Sequence, residues 1–431
     1  MRKIYLDYAA TTPMHPQVLQ AMLPYFTNAF GNPSSIHSYG QEARRAVEEA
    51  RERVAELIGA RADEIIFTCG GTEADNFALK GTFYANKQKG NHIITSKIEH
   101  HAIFETCKFL ESQGAIVTYL PVDKYGLVDP RDVQAAITNK TILISIMHAN
   151  NEVGTIQPIP EIGKIAGENG ILFHSDAVQT TGHIPVNISE MGVDMLSMSA
   201  HKLYGPKGIG AMYIRRGTRL VPFMHGGEQE RRRRASTENV PGIIGFGKAA
   251  ELAQNELDEE AQRLISLRTR LIDGLFEHID QIILNGHPTR RLPNNVNVSI
   301  DFVEGEALLL NLDLAGIAES TGSACSSSSS ETSHVLRAMG LSDEQAQGSL
   351  RLTMGRETIE EDIDRVIEVL PPIVDRLREL SPTLTRWIRD SSRSIVGCCP
   401  GYIAGGGYAG SKNFPGESPA CWATDNEVHT K

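Results

Sequence analysis

The alternation of short apolar, strand-like runs with amphipathic, helix-like runs constrains the fold of this 431-residue chain most strongly. It extends from about residue 65 to residue 214. Such alternation is typical of a mainly parallel sheet covered by helices, so we expect an α/β fold. The predicted strands are Ile65–Cys69, His92–Thr95, Ile116–Leu120, Ile142–Met147, Phe173 with its neighbours, Met195–Met198 and Ala211–Ile214.

Helix-like segments frame this region. Apolar residues at helical spacing predict a helix from Ser34 or Ser35 to about Ile58, and Leu252–His278 is interpreted as a long helical connector. A smaller α/β unit follows, with strands near Val296–Ile300 and Leu350–Met354, a helix near Glu306–Leu314, and a last helix from Thr358 that Pro371-Pro372 should break or kink.

These elements predict two domains and a tail. We expect a large domain over residues 15–260 and a small domain built from residues 1–14 and 261–383. Residues 384–431 lack a periodic apolar face, so we expect a flexible tail there. The spacing of Cys398, Cys399 and Cys421 in that tail does not match a zinc site.

Charge and composition narrow the classes of function. The formal net charge of −11 argues against a nucleic-acid-binding protein, which normally carries a basic surface. No apolar run approaches the roughly 20 residues that span a bilayer, and Asp7 precedes any signal-like apolar region. Six scattered cysteines fit reduced thiols. We therefore expect a cytoplasmic protein with neither a nucleic-acid nor a membrane partner.

Two neighbouring predicted strands end in residues of opposite charge. Asp176 follows the run around Phe173, and Lys202 follows Met195–Met198. A lysine that forms a Schiff base with pyridoxal 5'-phosphate (PLP) is typically accompanied by an acid that pairs with the cofactor's ring nitrogen. A lysine near a strand end is more often a solvated surface charge, so this pair does not decide the function by itself.

Other predicted strand ends are polar as well. Gly70-Gly71-Thr72 opens a helix and suits a phosphate, although it also suits a tight turn. His100, beside His101, could stack on a planar cofactor or belong to a surface histidine pair. Asn150-Asn151 suits a turn, and also suits hydrogen bonds to a phenolate oxygen and a substrate carboxylate. In open α/β sheets ligands bind at this edge.

Longer motifs match a known family. They are Tyr5–Thr12, Gly31–Ser35, Asp176–Gln179, Ser199–Lys202, Gly205–Gly208, Ser320–Cys325, His334–Gly340 and Arg351–Arg356. Over roughly residues 3 to 380, and in order, they resemble the cysteine desulfurases of the NifS/IscS type, in the class V aminotransferase family. The resemblance implies a fold-type I PLP-dependent transferase. Such an enzyme converts cysteine to alanine and passes sulfur to its own thiol as a persulfide.

The resemblance also implies a role for each matching position. Lys202 would hold PLP and remove the substrate proton, Asp176 would pair with the ring nitrogen, and His100 would stack on the ring and assist proton transfer. Asn151 and Arg351 would bind the substrate carboxylate, with Arg351 as a bidentate fork. The other cofactor contacts would come from Gly71, Thr72, Asn151, Gln179 at the phenolate oxygen, Ser199, His201 and, from the neighbouring subunit, Thr237.

Cys325 is the candidate nucleophile. It lies among small polar residues, including the serines Ser326–Ser330, which is an unusual setting for a core residue. A thiolate in a loop can attack the substrate sulfur and then carry it outward. We expect no stable metal site, and transient ligation of an iron–sulfur cluster by Cys325 stays open. Cys69 and Cys107 lie in apolar settings and are predicted to be core residues.

One segment departs from the family pattern. The family usually has Arg-x-Gly-Thr before the inter-subunit threonine, whereas this chain has Arg234-Ala235-Ser236-Thr237. A serine in place of the glycine could alter the turn.

The sequence favours a homodimeric cysteine desulfurase that acts on L-cysteine. It would supply sulfur for iron–sulfur cluster assembly through an acceptor such as a scaffold protein. Two alternatives remain. One is a selenocysteine lyase, an aminotransferase or another fold-type I enzyme, although an aminotransferase has no use for Cys325. The other is a non-catalytic sulfur-transfer scaffold, which would not need Lys202 and Asp176.

Overall fold

A computed structural model describes residues 2–322 and 332–380 of the chain. The strands in these ranges are β1 (Ile4–Tyr5), β2 (Ile65–Thr68), β3 (His92–Ser96), β4 (Ile116–Leu120), β5 (Thr141–Ser145), β6 (Leu172–Asp176), β7 (Met195–Ser199), β8 (Gly210–Ile214), β9 (Ile282–Leu284), β10 (Asn295–Ile300), β11 (Ile317–Ala318) and β12 (Ser349–Thr353). The helices are α1 (Pro16–Met22), α2 (Pro24–Thr27), α3 (Ser38–Leu57), α4 (Gly71–Asn86), α5 (His101–Ser112), α6 (Pro130–Ala136), α7 (Ile159–Glu168), α8 (Ile188–Met191), α9 (Gln229–Arg232), α10 (Val240–His278), α11 (Gly305–Leu314), α12 (His334–Ala338), α13 (Asp343–Gln347) and α14 (Glu360–Glu379). None of these helices combines the length and the apolar character needed to cross a membrane.

Seven strands form the main sheet, in the order β2-β8-β7-β6-β5-β3-β4. Neighbouring strands from β7 to β4 run parallel to one another, whereas β8 is antiparallel to both β7 and β2. The predicted mainly parallel sheet is therefore confirmed. Every residue of β2, β3, β7 and β8 is buried, as expected for strands that are covered by helices on both faces.

Apolar side chains cover the two faces of this sheet and form a separate core elsewhere. One cluster includes Val47 and Phe173, and a second includes Phe77 and Ile93. A third cluster, which includes Leu271, joins β1 to the three-stranded sheet β12-β10-β9 and to α14. The described residues all belong to one compact unit, Met1–Ser381, so the division into a large and a small domain stays a prediction.

Some predicted element boundaries are wrong. Helix α3 begins at Ser38 rather than near Ser34, because the Nδ1 atom of His37 accepts the Gly40 N–H at 3.3 Å and caps it. Helix α10 begins at Val240, well before residue 252, after a cap from Asn239. Capping satisfies backbone donors that lack a partner within the helix.

Helix α14 continues through Pro371 and Pro372, so the predicted break there is wrong. A proline in a helix removes one backbone hydrogen bond. Leu370 and Val374, on either side of the prolines, are buried in the third apolar cluster. Their burial on both sides of the prolines stabilises the helix across the two missing bonds.

A buried ion pair fixes the segment that contains α9. Two guanidinium nitrogens of Arg51 donate to the Glu230 carboxylate at 2.7 and 2.9 Å, and each side chain is only 3% exposed. The same carboxylate accepts the Phe67 N–H at 2.9 Å, which ties the segment to β2. Glu230, Arg231 and Arg232 all have left-handed φ angles, of 42°, 58° and 63°. This backbone is unfavourable for non-glycine residues, so the ion pair helps to hold a strained segment.

The same segment contains Ser236, whose φ of 105° is poorly suited to a residue with a side chain. We expect Ser236→Gly to raise the free energy of unfolding by about 1 kcal/mol, because relief of strain outweighs the added freedom of the unfolded chain. Urea unfolding measures this change. Ser266→Gly, at an exposed position inside α10, is the matched control and should lower stability by about 0.5 kcal/mol. Equal destabilisation by both changes would contradict the assignment of strain to Ser236.

Candidate active site

Several predicted site residues lie at the edge of the main sheet where the parallel strands end. Asp176 is the last residue of β6, and Lys202 closes a short 3-10 turn, Ala200–Lys202, directly after β7. Residues after β2, β3 and β5 add Gly71, His100 and Asn151 to the same edge. Adjacent parallel strands present their carboxyl ends side by side, which is why segments far apart in sequence converge here.

The Lys202 side chain points at the N-terminal segment. Its Nζ atom donates to the carbonyl oxygens of Ala9 and Ala10 at 2.5 and 2.7 Å. The Nε2 atom of His183 lies 2.8 Å from the Lys202 carbonyl oxygen and donates to it. Lys202 is therefore only partly exposed and well oriented, unlike a solvated surface lysine.

Asp176 is a buried carboxylate that the site keeps able to ionise. Its Oδ1 atom accepts the Val178 N–H at 2.9 Å. Burial raises the pKa of Asp176 to about 6, while the Val178 hydrogen bond and the positive charge of Lys202 oppose that rise. A buried acid next to an amine suits a cationic ring nitrogen, because each partner offsets the cost of removing the other from water.

Gln179 also faces the N-terminal segment. Its side-chain amide donates to the Ala9 carbonyl oxygen at 3.0 Å, so Ala9 accepts hydrogen bonds from both Gln179 and Lys202. Gln179, the predicted phenolate donor, and Lys202, the predicted Schiff-base lysine, therefore donate to the same carbonyl oxygen and lie close together. This proximity is what a single planar cofactor bound to both would require.

His100 is held as a neutral imidazole. Its Nδ1 atom accepts the Ala102 N–H at 3.1 Å and caps α5, which places the ring proton on Nε2. Burial, together with the smaller effects of the charges of Lys202, His101 and His334, lowers the pKa of His100 to about 4. His100 can therefore donate a hydrogen bond from Nε2 at neutral pH while remaining uncharged.

Several polar groups at this edge suit a phosphate. Gly71 begins α4, and a Cβ atom at that position would lie 2.6 Å from a Val178 methyl group, so only glycine fits there. The start of a helix favours an anion, and Ser199 lies close to Gly71. The ring of His201 contacts the Thr11 hydroxyl at 3.1 Å, and burial lowers the pKa of His201 to about 4.

The structure gives less support to the two predicted threonine contacts. Thr72 follows Gly71 in the first turn of α4, and its side chain is exposed. Thr237 is exposed and forms no hydrogen bond with any residue in the described ranges. Its segment approaches α4 through Arg234, which pairs with Glu73 at 2.8 Å. The assignment of Thr237 to a neighbouring subunit's phosphate site stays a prediction.

Arg351 and Asn151 come together, but through the backbone of Asn151. The Nη1 atom of Arg351 donates to the Asn151 carbonyl oxygen at 3.0 Å, and Nη2 pairs with Asp7 at 2.8 Å. Arg351 is only 2% exposed, and its Nε atom has no hydrogen-bond partner within the described residues. In the sequence, Asp7 was noted only as part of the motif Tyr5–Thr12, and its contact with Arg351 was not predicted.

The sequence-based prediction of site residues did not include three further buried acids. Asp75 lies with one oxygen 3.7 Å from the Nε2 atom of His174, and burial, reinforced by the charge of Asp176, raises its pKa. Glu99 accepts from Ser96, and burial raises its pKa to about 8. Glu152 accepts a hydrogen bond from Ser333. Acidic residues beside apolar runs were the available signal in the sequence.

Cysteine positions divide into three groups. Cys325, like the cysteines of the tail, lies outside the described residues, so its role stays a prediction. Cys107 is buried in the second apolar cluster, as predicted. Cys69 is exposed, so the prediction that it is a core residue is wrong. The reason is that β2 ends at Thr68, which leaves Cys69 in the turn before α4.

Comparison with known proteins identifies the family. Residues 4–366 match the family described as aminotransferase class-V. The chain belongs to this family. Class-V aminotransferases are generally PLP-dependent, and the amine of Lys202, the buried acid Asp176 and the polar groups that suit a phosphate fit that cofactor.

Two class-V relatives match this chain over most of its length. Cysteine desulfurase IscS of Dictyoglomus turgidum is 58% identical over 386 residues, which cover 90% of this chain and 98% of the relative. Cysteine desulfurase IscS of Methanosarcina thermophila is 57% identical over 381 residues, which cover 88% and 94%. The resemblance predicted from the motifs is confirmed.

Two solved structures of similar proteins confirm the predicted fold type. A NifS-like protein superposes with a TM-score of 0.80 at 38% identity and covers 88% of this chain and 99% of its own. The structure described as SspA in complex with cysteine superposes with a TM-score of 0.74 at 37% identity, covering 83% and 100%.

The raised pKa of Asp176 predicts a pH-dependent effect on stability. The folded state holds the Asp176 proton up to about pH 6, whereas an unperturbed Asp loses it near pH 3.8. The stabilising contribution of this protonated group is therefore complete below pH 3.8 and is lost by pH 6. We therefore expect cofactor-free Asp176→Asn to exceed the wild type in free energy of unfolding by about 2–3 kcal/mol above pH 6. The gap should narrow toward pH 4.

Urea unfolding between pH 4.5 and 8 measures this difference in free energy of unfolding between Asp176→Asn and the wild type. The control is Asp258→Asn at an exposed position of α10, which should change stability little across that range. A destabilised Asp176→Asn protein with a pH-independent difference would contradict the proposed electrostatics.

Proposed function

We propose that the protein is a PLP-dependent cysteine desulfurase that converts L-cysteine to L-alanine and transfers the sulfur to Cys325. The observation that carries the proposal is the convergence of Lys202, Asp176 and His100 at one sheet edge, together with the buried guanidinium of Arg351. The desulfurase names of relatives at 57–58% identity support the same reaction.

The cofactor would be held by residues whose chemistry fits each of its parts. Lys202 would bind its aldehyde carbon, Asp176 its ring nitrogen, Gln179 its phenolate oxygen and His100 its ring face. Gly71, Thr72, Ser199, His201 and Thr237 of a neighbouring subunit would bind the phosphate. When bound, PLP supplies an electron sink that stabilises negative charge at the substrate α-carbon.

The chain's own residues would perform the remaining steps. Arg351 would bind the substrate carboxylate and would have to share its guanidinium with Asp7, with which it pairs at 2.8 Å. Lys202, once displaced by the substrate amine, would take the α-proton. His100, neutral at physiological pH and with its proton on Nε2, would donate to the group that gains charge.

Sulfur transfer would consume one thiol and produce one persulfide. The Cys325 thiolate would attack the substrate sulfur, so that an S–S bond forms while the substrate C–S bond breaks. The electron pair of that C–S bond remains with the carbon fragment, which gains a proton and leaves as alanine. L-Cysteine and the Cys325 thiol therefore yield L-alanine and a Cys325 persulfide, with atoms and electrons balanced.

We further propose a cytoplasmic role in iron–sulfur cluster assembly, with a scaffold protein as one sulfur acceptor. The name IscS on the relatives supports this role. Transient cluster ligation by Cys325 stays open.

A homodimer is supported by an exposed apolar surface near the N-terminus. Phe30 and Ile36 are 67% and 91% exposed, and Leu23, Phe26 and Tyr39 are exposed beside them in sequence. Large apolar surfaces on soluble proteins commonly mark an interface. We propose that a second copy of the chain covers this surface and that it brings Thr237 to its partner's phosphate site.

Two single substitutions test the chemistry. We expect Lys202→Ala to prevent covalent PLP attachment and to lower alanine formation at least about a hundredfold. Cys325→Ser should retain bound PLP but form no persulfide on the peptide that contains residue 325. Alanine from L-cysteine plus a reductant, with mass spectrometry of that peptide, measures both. Cys421→Ser, in the C-terminal region, is the control that should match the wild type.

The outcomes separate the alternatives. Wild-type sulfide release by Cys325→Ser would show that Cys325 is not the sulfur carrier. Bound PLP without alanine would indicate a different PLP reaction, and a protein that binds no PLP would indicate a scaffold.

The dimer is tested by placing charge on the exposed apolar surface. We expect the double variant Phe30→Glu, Ile36→Glu to weaken dimerisation at least about a hundredfold, because two buried charges would lack partners. Light scattering after size-exclusion chromatography measures the oligomeric state. Leu310→Glu, on exposed α11, is the control and should leave the dimer intact. A monomeric wild type, or an unchanged dimer in the double variant, would contradict this interface.

A further inference from the structure

The N-terminal segment Ala9–Thr12 contacts Lys202 at both its side chain and its backbone. The amine donates to the carbonyl oxygens of Ala9 and Ala10 at 2.5 and 2.7 Å. The backbone contacts are made by Thr12, which is 2% exposed and is more than 180 residues away in sequence. The turn that carries Lys202 is therefore braced by a distant part of the chain.

A single Thr12 hydroxyl closes this turn on both sides of the lysine. The hydroxyl donates to the His201 carbonyl oxygen at 3.0 Å and accepts the Tyr204 N–H at 2.9 Å. The Thr12 N–H also donates to the His201 carbonyl oxygen at 3.0 Å. A hydroxyl has one donor and two acceptor positions, and this one is used in both capacities.

The turn needs such support because its own backbone is strained. Tyr204 has a φ of 63°, a left-handed conformation that is unfavourable for a residue with a Cβ atom. The turn's own bonds are Leu203 N–H and Gly205 N–H to the Ala200 carbonyl oxygen, at 3.1 and 2.9 Å. Neither bond restrains His201 or the Tyr204 N–H, and these are the two groups that Thr12 holds.

We propose that Thr12 is a positioning residue for Lys202, whose hydroxyl fixes the backbone on both sides of the lysine and so aims the amine at the cofactor. This inference rests on the proposed function. Thr12 acts through the backbone of His201 and Tyr204. Its loss should therefore affect bond formation by Lys202 more than it affects the binding of the cofactor's ring and phosphate.

Two cofactor forms separate these effects. PLP has an aldehyde that reacts with Lys202, whereas pyridoxamine phosphate has an amine in its place and binds without forming that bond. We expect Thr12→Val, which keeps the shape and removes the hydroxyl, to slow covalent PLP capture about tenfold, the factor typical of one buried hydrogen bond. Its affinity for pyridoxamine phosphate should stay within about twofold of the wild type, since those contacts remain.

The measurements use the full-length protein after removal of its cofactor. Stopped-flow absorbance follows PLP capture, borohydride reduction with mass spectrometry locates it at Lys202, and equilibrium dialysis gives pyridoxamine phosphate affinity. Thr12→Ser, which restores the hydroxyl, should recover most of the capture rate. Thr82→Val is the matched control, because Thr82 is fully buried and its hydroxyl contacts only Met195 among the described residues. This control should capture PLP at the wild-type rate.

Each outcome bears on the inference. A wild-type capture rate in Thr12→Val overturns it, and an equal loss of PLP capture and pyridoxamine phosphate binding overturns it in favour of a general structural role. If Thr12→Val does not fold, Thr12→Ala is expected to show the same separation, and wild-type capture by that variant would equally overturn the inference. A wild-type protein that binds neither cofactor form overturns the proposed function as well.

Discussion

The electrostatic relation between Asp176 and Lys202 is the constraint on which the site depends. A carboxylate as buried as Asp176 is costly without a cation or strong hydrogen-bond donors nearby. The Val178 N–H and the amine of Lys202 supply these, and they keep the pKa of Asp176 near 6 although burial favours a higher value. Asp176 ends β6, and Lys202 closes the short turn that follows the adjacent parallel strand β7, so the arrangement of the sheet brings the two charges to the same edge.

The N-terminal segment links this pair to the substrate-binding side of the site. Within six residues, Asp7 pairs with Arg351, Ala9 accepts from Lys202 and Gln179, and Thr12 braces the lysine turn. Just before them, β1 pairs with β11 beside the third apolar cluster. Movement of this segment would therefore affect Lys202 and Arg351 together.

Strain and its compensation recur around the site. The left-handed residues of α9 are held by the buried Arg51–Glu230 pair, and left-handed Tyr204 is held by Thr12. Backbone strain persists only where surrounding contacts over-determine it, and it clusters near functional sites. In both places here the compensating group comes from a segment distant in sequence.

The parallel sheet, the family and the candidate residues could be predicted from the amino-acid sequence, because apolar periodicity and motifs are properties of residues close together in the chain. Asp176, Lys202 and His100 could be named from their positions at strand ends. The contacts of Asp7 and Thr12, the buried acids Asp75 and Glu99, and the exposure of Cys69 could not. The start of α3 at Ser38 and the passage of α14 through two prolines depend likewise on contacts that spacing does not encode. These features depend on tertiary packing, because burial and pairing between residues 7 and 351, or 12 and 201, arise when distant segments pack together.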